Sequence, residues 1–260
     1  MLALVIDLLY LIFLGSQFIT SIFLLVRMIK LKQSNLLFLM LFFFLNPLEV
    51  IFIFIIGSSA IINMLSNISL VIFTKYTFFK ERRSPFLFLL TSLIIIKVID
   101  FVLKIFIPFS IPLNFVLSSS EIPFFYLYLI LTSSSILLSY LWLGLSSLKY
   151  YKLIKRENIE PWIKKRYQII GYSSLIITLN SIIYLLFPIN TYNWEAFFPF
   201  TLGLLLTINT TLFSLSNLIA WIMPKRLKNY LNKDYQRIND EDFSEAELMK
   251  IIKKQLDEEV

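Results

Sequence analysis

Glu49, Lys97, Asp100 and Lys104 are ionisable residues set inside stretches of otherwise apolar sequence, and Asp7 stands near the start of another. A charged side chain at the centre of a hydrocarbon layer costs roughly 2.5–3.5 kcal/mol on insertion scales. Each such residue calls for a partner, a hydrated cavity or a route to the interface. Asn46 precedes Glu49 by three positions, which puts the two on one helical face. Pro47 between them removes an amide and kinks the helix. Lys97, Asp100 and Lys104 follow one another at spacings of three and four, a single helical stripe. Opposed charges arranged this way can tie helices together, receive a small polar ligand, or line a path for ions or protons.

Other chemistry is excluded by composition. The chain has no cysteine and no histidine, which removes disulfides, thiolate nucleophiles, imidazole bases and Cys/His zinc centres. Its five glycines are scattered and form no phosphate-binding loop. The expectation is a protein that is not an enzyme, with no metal and no cofactor.

These residues need elements to position them, and the composition points to membrane spans. Of 260 residues, 58% are hydrophobic and only 16% charged, against roughly 25% charged in soluble domains; the mean hydropathy is +0.77. A spanning helix needs about 20 mostly apolar residues. The sequence predicts seven such spans, at residues 2–26, 36–56, 60–79, 85–107, 123–148, 161–188 (entering the membrane near Tyr167) and 196–223. Gly57, Ser58 and Ser59 offer a tight turn, with Asn63, Ser66 and Asn67 as a second place to turn. Pro85 and Pro161 suit first helical turns.

Charge then fixes orientation. Arg27, Lys30 and Lys32 follow the first span, and Lys80, Arg82 and Arg83 the third. Seven basic residues between Lys149 and Arg166 separate the fifth and sixth, and Lys225, Arg226 and Lys228 follow the seventh. The intervening connections carry no Lys or Arg. This alternation matches the positive-inside rule, so the net charge of +7 reflects topology, and nucleic acid is not an expected partner. The predicted fold is an all-α integral membrane protein: a seven-transmembrane-helix bundle with its N-terminus outside and its C-terminus cytoplasmic. Residues 1–224 form the transmembrane domain and 225–260 a cytoplasmic tail with short amphipathic helices. Multi-pass insertion in a plasma membrane is the expected location, and the lipid bilayer the first partner.

At about 1.5 Å per residue, Glu49 and Lys97 reach similar depths in the outer half of the membrane. Asp7, Asn46, Glu49, Lys97, Asp100 and Lys104 are thus expected as one polar cluster facing the bundle interior, either a network that fixes packing or the floor of an outward-facing ligand pocket. Lys75 is close enough to Lys80 to snorkel inward. Softer polar stripes accompany the cluster: Tyr10, Gln17 and Ser21; residues 132–135 with Ser139; Ser173, Ser174, Asn180 and Ser181; Thr207, Thr210, Thr211, Ser214 and Asn217. Interhelical hydrogen bonding is their expected role.

Beyond Pro224, residues 225–232 predict a short helix on the membrane surface, with Leu227, Tyr230 and Leu231 toward lipid and Lys225, Arg226 and Lys228 at anionic head groups. Ser244 and Glu247 match a capping box before an amphipathic stretch. The layout resembles seven-helix receptors and rhodopsins in span number, orientation and juxtamembrane helix. Specific motifs do not follow: the last span has no lysine for a retinal Schiff base, and Asn217 to Trp221 reads Asn-Leu-Ile-Ala-Trp where receptors carry N-P-x-x-Y. The expected function is a sensor that binds a small ligand from outside and signals to a separate cytoplasmic partner at the 149–166 loop and the tail. A small-solute or ion transporter or channel, or an accessory subunit of a membrane complex, is the alternative.

Overall fold

A computed structural model describes residues 2–56, 60–79, 83–106, 122–157, 159–187, 197–233 and 235. Among these, seven helical segments are long and apolar enough to cross a membrane, and the molecule is an all-α seven-helix bundle. The spans are α1 (Leu2–Leu31), α2 (Asn35–Ile56), α3 (Ala60–Phe78), α4 (Phe86–Phe106), α5 and α6 together, α7 (Pro161–Leu185) and α8 (Phe197–Ile222). A seven-residue helix, α9 (Lys225–Leu231), follows the last span.

The fifth span is longer than its apolar run suggests. It comprises α5 (Ile122–Ile136), a π-helical turn (Leu137–Leu141) and α6 (Trp142–Ile154). Its inner end is carried past Leu148 by packing that a hydropathy window does not see: Tyr150 and Ile154 are buried with Ile159, Ile163 and Tyr167. Pro161 occupies the first turn of α7, where a missing amide costs nothing. The ends of α1 and α8 are set by left-handed residues, Lys32 (φ 52°) and Met223 (φ 42°). This conformation terminates helices, and Pro224 prevents α8 from continuing. The Gly57–Ser59 turn, the 107–121 connection and the tail helix after Ser244 lie outside the described residues.

Each span packs on the next in sequence, and α8 packs back on α1, closing a ring; α3 also touches the π turn and α6. The middle of the bundle is aromatic. Phe42, Tyr140 and Phe213 meet edge to face at 5.3–6.2 Å between ring centroids, joining α2, the π turn and α8. Outward-facing Leu11, Ile22, Leu87, Phe88 and Ile95 are exposed, as a lipid-facing surface requires. Close approach between α6 and α7 rests on glycine: a Cβ on Gly171 would lie 2.6 Å from the Leu148 side chain. Small residues at such crossings let helix backbones draw near.

Candidate functional site

Three neighbouring spans meet through one amide. Asn63 Nδ2 of α3 donates to both carboxylate oxygens of Glu49 in α2, at 2.7 and 2.8 Å. Asn63 Oδ1 accepts from Lys97 Nζ of α4 at 2.5 Å. The amide dipole is thus aligned between an acid and an ammonium group, its positive end on the acid. Asn67, one turn along, donates to the Asn63 carbonyl and to Oδ1 at 2.9 and 3.2 Å, fixing the amide's orientation. Lys97 and Asp100 are almost fully buried, and Glu49, Asn46 and Asn63 partly so. Hydrogen bonding of this kind offsets the cost of holding charges away from water.

The network continues toward the bundle axis. Ser66 Oγ donates to Asn46 Oδ1 at 2.6 Å, and the Asn46 side chain hydrogen-bonds the Tyr140 hydroxyl. Tyr140 sits in the π turn, a local widening that is frequent at functional sites. Glu49 is thus tied to α3 through Asn63, and Asn46, one turn before it on α2, to the π turn through Tyr140. The set brings hydrogen-bond donors and acceptors, a carboxylate and an ammonium group together among apolar spans.

The structure brings Asn46, Glu49, Lys97 and Asp100 into the interior. Asp7 is instead exposed on α1, and no hydrogen bond among the described residues ties it to the network. The mismatch arises because depth along a helix does not determine which way a residue faces. Lys104 lies on α4, four residues past Asp100, with its side chain outside those described. The residue the sequence reading leaves out of the cluster is Asn63, which falls within the 60–79 span and is offered only as a second place to turn; it lies inside α3. The spacing of Asn63, Ser66 and Asn67 on one helical stripe was the available signal.

The polar stripes divide their bonding. Thr20, Ser69, Thr74, Ser139, Ser174 and Thr207 return a hydroxyl bond to the carbonyl four residues back, the local alternative open to Ser and Thr in helices. Others cross between helices: Ser133 donates to the Ser181 carbonyl at 2.7 Å, Ser147 to the Tyr167 carbonyl at 2.8 Å and Asn209 to Asn180 Oδ1 at 2.8 Å. Ser16 bonds Ser214.

At the opposite end, the basic side, two arginines cap the last span. Arg166 Nε donates to the Ala220 carbonyl and Arg27 Nη1 to the Trp221 carbonyl, each at 3.2 Å. Arg166, fully buried, lies 4.6 Å from the Trp162 ring centroid and 5.2 Å from that of Trp221. Cations at a helix C-terminus oppose its negative dipole end, and the rings add a cation–π contribution. The sequence gives little warning, since Arg166 stands in the run Lys164-Lys165-Arg166; only its four-residue spacing from Trp162 hints at the contact. Lys228, expected among lipid head groups, stands over the Trp162 ring at 4.0 Å. Lys75 Nζ donates to the Phe79 carbonyl at 2.7 Å, the inward reach expected of it.

No family model, curated protein or solved structure matches this chain.

Proposed function

We propose that this multi-pass membrane protein is a seven-helix sensor of a plasma membrane. It takes a small polar ligand from the outer side at the Glu49–Asn63–Lys97 network and signals to a separate cytoplasmic protein at the 149–166 loop and tail. The reading is non-catalytic and involves no cofactor. One observation carries it: a single amide, Asn63, links α2, α3 and α4 through an acid and a buried ammonium group. A ligand bearing its own donor and acceptor can compete for Glu49 and Lys97 and so alter how three spans pack. Tyr140 connects that region to the aromatic centre, where Phe213 of α8 is a direct neighbour. The α8 terminus in turn is gripped by Arg27 and Arg166, giving a packed route from the polar network to the basic face.

A screen of the purified protein for thermal stabilisation by small amino acids, amines, carboxylates and polyols tests the reading. We expect a stabilising compound whose effect disappears in Lys97→Met while Lys152→Gln retains it. Stabilisation that survives Lys97→Met removes the site. Solute-dependent flux through the reconstituted protein would favour a transporter instead, and a stoichiometric co-purifying membrane partner an accessory subunit.

A further inference from the structure

The helix after the last span presents two different faces, and its contacts fix which one the membrane meets. Leu227, Lys228 and Leu231 are partly buried, with Lys228 held over Trp162 of α7. That contact sets the roll of α9 about its own axis. Lys225, Arg226, Asn229, Tyr230 and Lys233 are exposed, Tyr230 by 74%. Between Lys225 and Lys233 the sequence holds four basic residues and no acid. On the same side of the bundle, Lys30 and Lys32 are exposed at the end of α1, whose Arg27 is tied to the Trp221 carbonyl.

We infer that the exposed face of α9 is a docking surface for anionic phospholipid head groups, with Lys225, Arg226 and Lys233 meeting phosphate and Tyr230 seated in the interface. The occupant follows from charge and place. The surface is cationic, it lies immediately beyond the membrane-spanning part of α8, and anionic lipids concentrate in the cytoplasmic leaflet. Arg226 and Tyr230, four residues apart, share one stripe, which pairs a head-group cation with the ring type favoured at membrane interfaces. Lys228 is not part of this surface, because its ammonium is engaged by Trp162. The role of α9 does not depend on what the Glu49–Lys97 region binds.

The absence of cysteine makes the test direct. Asn229→Cys in the full chain, labelled with a fluorophore and reconstituted in phosphatidylcholine vesicles containing phosphatidylglycerol, reports lipid contact through quenching by spin-labelled lipids. We expect spin-labelled phosphatidylglycerol to quench at least about twofold more than spin-labelled phosphatidylcholine. High salt should reduce that ratio toward one, as should Lys225→Gln with Arg226→Gln. Lys152→Gln with Lys155→Gln, elsewhere on the basic side, should leave it unchanged. A ratio near one in the unaltered chain overturns the inference, and so does an equal fall with both pairs. A preference that emerges only after Asp240→Asn, Glu241→Gln and Asp242→Asn also overturns it, because the acidic tail then occupies the surface.

Discussion

Replacing Asn63 with leucine removes the amide that donates to both Glu49 oxygens and accepts from Lys97. The charged groups remain, but their shared bridge does not. Loss of hydrogen bonding to partly buried polar groups costs about 1–3 kcal/mol, so Asn63→Leu should lower the thermal unfolding midpoint in detergent. Glu49→Gln combined with Lys97→Met should then destabilise less than the two single changes summed, since either alone leaves the other charge without the network's compensation. Additive single effects would show that the two ends are not coupled through Asn63. At the other side of the membrane, Arg166→Gln gives up a carbonyl bond and two aromatic faces. An expected loss of about 1–3 kcal/mol should come with a red shift in tryptophan emission, and Arg166→Lys should recover little, because an ammonium group lacks the planar stacking surface.

The sixth span is held against α6 by an absence of side chain, and the fifth carries a π-helical turn at Leu137–Leu141. Gly171→Leu would drive atoms into Leu148, already 2.6 Å from the position a Cβ would take. Overpacking of this kind costs about 1–3 kcal/mol. The expected result is a lower unfolding midpoint, substantially restored when Leu148→Ala opens the facing position; failure of that second change to help would place the strain elsewhere. Spans were legible as elements because lipid demands long apolar runs with internally bonded backbones. The π turn was not: the sequence from Leu137 to Leu141 has no proline or glycine, and the partner of its Tyr140, Asn46, is distant in sequence.

For the bundle as a whole, basic residues on one side imply which connections a membrane-impermeant reagent can reach. With no native cysteine to interfere, Ser119→Cys should label on intact cells and Lys152→Cys only after permeabilisation. Equal labelling of both would overturn the orientation. Ring closure through α1 and α8 makes the outer polar network and the inner arginine contacts parts of one packed body. Phe42, Tyr140 and Phe213 lie between them, so a shift at Asn46 has close-packed neighbours through which to act.

Span number and the clustering of positive charge were determined by the sequence alone, because solvation in hydrocarbon acts on each segment independently of its neighbours; span limits were not, since packing carries the fifth span past Leu148. Lys97, Asp100, Glu49 and Asn46 could be singled out for the same reason: a polar group in an apolar run is conspicuous before any folding is known. Tertiary structure decided which of them meet. It assigned the central place to Asn63 and an exposed position to Asp7, and it placed Lys228 against Trp162. Those outcomes depend on helix rotation and pairing, and rotation is set by packing between segments far apart in the chain.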